Sequence, residues 1–140
     1  MIPQTIALFE AAERGDLKAA DALLENGAAV LAFDEDLAWT ALHYAANGGH
    51  LALVQHLLAA GAEVNQHDEA RIGETPLGLV AGNCTLRMAK LLIEAGANPI
   101  LPGWMGVTAL DRASQRKRGD GPAVHALLLE TARNRFGYRG

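Results

Sequence analysis

One pattern of about 34 residues repeats along the 140-residue chain, and this periodicity constrains the fold more than any single motif does. Its first half is marked by a recurring leucine at Leu8, Leu42, Leu77 and Leu110, with steps of 34, 35 and 33 residues. Its second half is marked by LLENGAAV, LLAAGAEV and LIEAGANP at 23–30, 57–64 and 92–99. Repeats of roughly this length are typical of supersecondary units that cannot bury their apolar face alone and therefore stack on their own copies.

Within each unit the residue types predict two helices joined by a tight turn. Thr40, Thr75 and Thr108 precede the recurring leucine, and a threonine there can accept an unpaired N–H of the first helical turn. Pro76 comes next in the third unit, at the helix position that proline fits best. The glycine pair 48–49 indicates the end of one helix, and the leucines of the following LALVQHLLA predict a second helix with one apolar face.

The second unit, WTALHYAANGGHLALVQHLLAAGAEVN at 39–65, closely resembles an ankyrin repeat. The resemblance covers nearly the whole chain. It implies an all-α ankyrin-repeat solenoid of stacked helix-turn-helix units with β-hairpin or loop fingers between them. We therefore divide a single domain, 1–140, into four repeats and a frayed C-terminal tail, at about 4–36, 37–70, 71–103, 104–132 and 133–140.

Composition argues against several classes of protein. Half of the residues are apolar and a fifth are charged, as in a soluble globular domain. The single cysteine, Cys84, allows no internal disulfide. No apolar run approaches the roughly 18 residues of a membrane helix, and the first residues lack the features of a secretory signal. We expect a cytoplasmic protein with no membrane contact.

The charge is unevenly distributed along the chain. Residues 1–70 hold two basic and eleven acidic side chains, a net charge of -9, whereas residues 71–140 hold ten basic and five acidic ones, a net charge of +5. Such asymmetry can steer a partner, or it can belong to a solvated surface without function. The basic run 112–119 lacks the interleaved aromatic residues on which bases stack, so a nucleic-acid partner is not expected.

Three of the five histidines lie within fourteen residues, at His43, His50 and His56. The resemblance assigns His43 and His50 to hydrogen bonds inside the repeat and its turn. The alternative is a metal-binding or enzymatic protein that uses His43, His50 and Cys84. No catalytic sequence motif accompanies these residues, so we expect no enzyme, no cofactor and no metal.

The resemblance also implies where a partner would bind, on the finger tips and the exposed face of each first helix. In this sequence the positions are Asp36, Leu37, Trp39, Asn47, Arg71, Ile72, Glu74, Trp104, Met105 and Arg116. Tryptophan and arginine are enriched in interface hot spots, which makes Trp39 and Trp104 candidate anchors. The competing interpretation is that each tryptophan folds back to cover the adjacent hairpin.

The sequence therefore predicts a monomeric protein–protein interaction module that acts on another protein as an adaptor, an inhibitor or an immunity-like factor. One alternative is the metal-binding or enzymatic protein described above. Another is a self-associating structural protein, in which the acidic half of one copy meets the basic half of another.

Overall fold

The computed structural model describes residues 2–71 and 73–140, with the side chain of Arg71 left out of the description. The helices in these ranges are α1 to α8, at Pro3–Arg14, Leu17–Glu25, Ala41–Asn47, Leu51–Ala59, Pro76–Val80, Leu86–Glu94, Ala109–Ser114 and Gly121–Phe136. Two short 3₁₀ turns lie at Glu69–Arg71 and Trp104–Gly106. The described ranges contain no β-strand, so the expected all-α fold is confirmed.

Threonine capping is confirmed at the start of three helices. The hydroxyl oxygens of Thr40, Thr75 and Thr108 accept hydrogen bonds from backbone N–H groups three residues later. Pro76 occupies the first turn of α5, and Gly49 takes the left-handed backbone (φ 74°) after α3. These local signals fix where each helix begins and ends.

The helices stack in two layers. Helices α1, α3, α5 and α7 pack successively on one another, and α2, α4, α6 and α8 form the neighbouring layer. The core lies between the layers and is built from leucines at repeat spacing, all buried, at Leu8, Leu42, Leu77 and Leu110. The recurring leucine is therefore the residue that each unit buries against its neighbours.

The connectors bond to one another from repeat to repeat. The Asn65 amide donates to the Gly96 carbonyl (3.1 Å), and its oxygen accepts the Asn98 N–H (2.7 Å). Gln66 donates in the same way to the Leu31 carbonyl (2.6 Å). These bonds satisfy backbone groups that the connectors would otherwise leave to water.

The fingers that follow the connectors are loops, and none of their described residues forms a strand. Each is closed by a backbone hydrogen bond: Asp34 N–H to Trp39 O (2.8 Å), Gly73 N–H to Asp68 O (2.9 Å) and Gly103 N–H to Val107 O (2.9 Å). The fingers therefore match the loop form of the expectation rather than the β-hairpin form.

The last helix is longer than the repeat pattern indicates. Helix α8 continues to Phe136, beyond the predicted end of the fourth repeat at 132, and Gly137 ends it with a left-handed backbone. The Tyr138 N–H then bonds to the Ala132 carbonyl (3.0 Å). The division into four repeats stays a prediction. Within the described ranges, no helix combines the length and the apolar character that crossing a bilayer requires.

Candidate partner-binding surface

The first finger is organised by Asp34, a residue that the sequence analysis did not single out. One carboxylate oxygen accepts the N–H groups of Leu37 and Trp39 (3.0 Å each), and the other accepts the hydroxyl of Tyr44 on α3. Asp68 stands one repeat later and accepts the Ala70 N–H (3.0 Å). The recurrence of an aspartate at repeat spacing could have pointed to this role in the sequence, since aspartates commonly bond to nearby backbone in turns.

Trp39 packs on α3. Its ring stacks on the imidazole of His43, with centroids 6.4 Å apart and planes 13° apart, and meets Tyr44 edge-on at 5.0 Å. The side chain is half-buried as a result. At this position the structure favours local packing, the second interpretation of the tryptophan, because two aromatic neighbours already hold the ring.

Residues at the tip of the first finger and the end of α3 face solvent. Leu37 is 52% exposed, and Asp36 and Asn47 are exposed as well. Asp36 also lines a cleft of about 340 Å³ that opens between the finger, α1 and α3. These predicted partner-binding residues are therefore accessible to a second molecule.

The third finger presents two strongly exposed large apolar side chains, Trp104 at 56% and Met105 at 76%. Met105 has a left-handed backbone (φ 58°), which is unfavourable for a residue with a side chain. The Gly103–Val107 hydrogen bond closes the loop around it. Unlike Trp39, Trp104 has no aromatic neighbour within the described residues.

Glu74 belongs to a contact between repeats rather than to the open surface. Its carboxylate accepts hydrogen bonds from the Arg112 guanidinium (2.6 Å) and from the Trp104 N–H (3.2 Å). Its side chain is only 15% exposed. It was predicted to bind a partner, and the structure instead gives it internal partners on the next finger and on α7. A buried carboxylate needs such partners, since leaving them would cost free energy.

Arg116 is likewise drawn into the fold. Its guanidinium donates to the Ala81 carbonyl (3.3 Å) and lies beside Cys84. It therefore ties the turn after α7 to the turn after α5. Arg71 is placed by its backbone alone, in the 3₁₀ turn of the second finger. Ile72 lies outside the described residues, so the predictions for Ile72 and for the side chain of Arg71 stay predictions.

The histidines serve the scaffold. His43 is fully buried; its Nδ1 accepts the Thr40 N–H (3.0 Å), and its Nε2 donates to the Glu74 carbonyl (2.6 Å). Burial is the main reason that its pKa falls from 6.5 to about 4. The His50 Nε2 lies 3.0 Å from the Glu13 carbonyl of the previous repeat.

Cys84 is buried, and burial raises the pKa of its thiol. Within the described part of the chain, no three histidine, cysteine or carboxylate side chains converge as they would around a metal ion. Both ring nitrogens of His43 are already bonded, which leaves neither free for a ligand. The alternative site of His43, His50 and Cys84 thus gains no support.

Comparison with known proteins agrees with this architecture. The family model "Ankyrin repeats (3 copies)" matches residues 3–68 and 46–135. Similar sequences include the E3 ubiquitin-protein ligase hecd-1 of Caenorhabditis elegans, 32% identical over 123 residues, which cover 86% of this chain and 4% of the ligase. The Ankyrin repeat and KH domain-containing protein mask-1 of the same organism is 38% identical over 95 residues, 68% of this chain and 4% of that protein.

A human relative, Ankyrin repeat and SOCS box protein 6, is 36% identical over 131 residues, which cover 89% of this chain and 30% of that protein. The chain therefore spans less than a third of the length of these three relatives. What is shared is the repeat segment. Such segments are generally non-catalytic, although some of the relatives are multidomain enzymes. The chain belongs to the ankyrin-repeat family, whose repeats are protein–protein interaction modules.

Proposed function

We propose that this chain binds a partner protein through its finger tips. Through this binding it acts as an adaptor, an inhibitor or an immunity-like factor. The observation that carries the proposal is the exposure of large apolar side chains on two fingers: Leu37 at 52%, Trp104 at 56% and Met105 at 76%. Exposed apolar patches rimmed by polar residues mark interaction sites. The folded unit does not need these side chains in its core.

The proposed contact set keeps the accessible members of the predicted one: Asp36, Leu37, Asn47, Trp104 and Met105. Arg71 and Ile72, on the second finger, stay in the set as predictions. The other predicted residues have a structural role, because their contacts inside the fold hold a finger or a turn in place. These contacts are the bonds of Glu74 and Arg116 and the stacking of Trp39 on His43.

Binding would itself be the mechanism, through blocking, recruiting or sequestering the partner. The module is proposed to be monomeric and to contact no membrane. The single cysteine, Cys84, is free and buried, and we place the protein in the cytoplasm, where thiols stay reduced.

The test is affinity capture from the native cell with quantitative mass spectrometry, using three forms of the full chain. The double variant Trp104→Ala/Met105→Ala removes the exposed tip, and Ile2→Ala/Leu31→Ala removes two exposed apolar side chains away from the finger tips (60% and 43% exposed). We expect one partner to be captured by the wild type and the control and to be reduced at least about tenfold by the tip variant. A partner captured equally by all three forms would refute the proposed surface.

Circular dichroism should show the same helix content and melting temperature for all three forms, because each substituted side chain is exposed. Loss of capture then reports on contact with the partner and not on folding. Recovery of no partner by the wild type would count against the binding function itself.

A further inference from the structure

The cleft beside the first finger combines an apolar floor with an acidic rim. Its floor is formed by Ile6 and Phe9 of α1 and by the ring of Tyr44 on α3, and its rim includes Glu10, Glu13 and Asp36. Its volume of about 340 Å³ falls at the small end of the range for pockets that bind ligands, about 300–1,000 Å³. The cleft therefore has room for side chains of a partner.

The floor is held rigidly. The rings of Phe9 and Tyr44 lie 5.9 Å apart, the Tyr44 hydroxyl bonds to Asp34, and the Trp39 ring also packs edge-on against Tyr44. Ile6, in contrast, is 44% exposed. A fixed aromatic surface beside an exposed aliphatic side chain can receive an apolar group with little loss of conformational entropy on the protein side.

Three carboxylates of the rim, those of Glu10, Glu13 and Asp36, are exposed. None of the three pairs with a cationic side chain among those that the structure describes, which leave out the side chain of Arg71. The one arginine of α1, Arg14, lies near Asp16 instead (3.7 Å). These three negative charges are therefore accessible to the cationic side chains of another molecule.

The negative charges around the cleft also act on Tyr44 in its floor. The pKa of Tyr44 is raised, first by burial, then by its bond to Asp34, and further by the charges of Asp34, Glu13 and Asp36. The surrounding half of the chain, residues 1–70, adds to this field with its net charge of -9. Such a potential attracts cations and repels acidic peptides and nucleic acid.

We propose that this cleft binds a basic segment of the partner protein, with an apolar side chain against Ile6, Phe9 and Tyr44 and with flanking lysine or arginine side chains on Glu10, Glu13 and Asp36. The inference rests on the proposed function and adds the chemistry of the partner. Arginine suits the site best, because its guanidinium can bond to a carboxylate and stack on the tyrosine ring in one place.

The probe is a display library of random twelve-residue peptides, selected on the immobilised full chain. Peptides recovered on the wild type should be enriched in lysine and arginine next to leucine, isoleucine or phenylalanine. Synthetic copies, labelled with a fluorophore, are then titrated by fluorescence anisotropy. Raising the salt from about 50 to 300 mM should weaken their binding, because the contacts are charge-assisted.

Two variants and a matched control locate the peptide. Glu10→Gln/Glu13→Gln/Asp36→Asn should weaken peptide binding at least about tenfold, since three exposed charge contacts are lost, and Ile6→Ala should weaken it by about three- to tenfold. The control, Glu25→Gln/Glu63→Gln/Glu94→Gln, removes the same charge from exposed carboxylates outside the cleft and should change binding less than about twofold.

Other outcomes overturn the inference. The inference fails if the recovered peptides are not enriched in lysine and arginine, or if no peptide is recovered. Peptides that bind the rim variant normally but are lost with Trp104→Ala/Met105→Ala would leave the proposed function standing and remove the cleft from it. A dimer in sedimentation that the rim variant abolishes would assign the cleft to a second copy of the chain instead.

Discussion

His43 is a buried imidazole whose two ring nitrogens both serve the backbone of two adjacent repeats. Only the neutral ring can do this, because protonation of Nδ1 would remove the acceptor for the Thr40 N–H. With its pKa lowered to about 4 in the folded chain, against 6.5 unfolded, the unfolded state binds the proton more readily between these values. His43 therefore contributes stability that is present above about pH 6.5 and lost as the pH falls towards 4.

We expect the free energy of unfolding of the wild type to fall by about 2 kcal/mol from this residue alone between pH 7 and pH 5. Urea unfolding at several pH values measures it. The fall of about 2 kcal/mol between pH 7 and pH 5 should be missing in His43→Gln. It should persist in His125→Gln, a substitution at a half-buried position on α8. An imidazole NMR titration of the wild type supplies a second measurement, and a His43 midpoint near 6.5 would contradict the argument.

At the residue scale, predictions from the sequence succeeded where a side chain acts within its own helical turn. Thr40, Thr75 and Thr108 cap the helices that they precede, as expected. The bond of Glu74 to Arg112 was not predicted, because the two residues lie 38 positions apart in the chain. No local pattern marks that pairing; only the stacking of one repeat on the next brings the two groups together.

At the scale of elements, α7 and the third finger are joined to the second finger by the Glu74 carboxylate, which bonds to Arg112 and to the Trp104 N–H. Arg112→Gln should destabilise the chain by about 1–2 kcal/mol, a discounted figure because the arginine is one-third exposed. In a stack of repeats the effect is local. Hydrogen exchange followed by mass spectrometry should therefore show faster exchange in α7 and α8, with α1 to α4 unchanged.

Arg118→Gln, at an exposed position of the same basic segment, is the matched control and should leave exchange unaltered. Uniformly faster exchange from α1 to α8 in Arg112→Gln would contradict the local account. It would mean that the repeats unfold only as one unit.

Helices were easier to predict than the segments between them. Caps, glycines and the leucine period fixed the helical pairs, because those signals act over a few residues. The fingers form loops without strands in their described residues, and α8 extends to Phe136. Both depend on contacts outside the repeat pattern, such as the Asp34 side chain and the Tyr138 N–H bond to Ala132.

At the scale of the whole molecule, the acidic cleft could not be read from the sequence, because its floor and rim come from α1, the first finger and α3. The charge asymmetry was visible in the sequence, but its location on one opening was not. Stacking decides which residues share a surface. Stability also depends on stacking, since the main contacts of the described helices are with their neighbours in the two layers.

Removing residues 104–140 tests that dependence. Helix α5 would lose its contact with α7, and α6 would lose its contact with α8, which should expose apolar side chains of α5 and α6. Burial of each such side chain is worth about 1.5–3 kcal/mol, so their exposure would remove much of the roughly 5–15 kcal/mol that stabilises a domain. We expect the fragment 1–103 to have a lower urea midpoint and less helix per residue by circular dichroism. The fragment 1–138, which keeps α8 and Tyr138, should match the full chain. Equal midpoints for 1–103 and 1–138 would show that residues 1–103 are stable without α7 and α8.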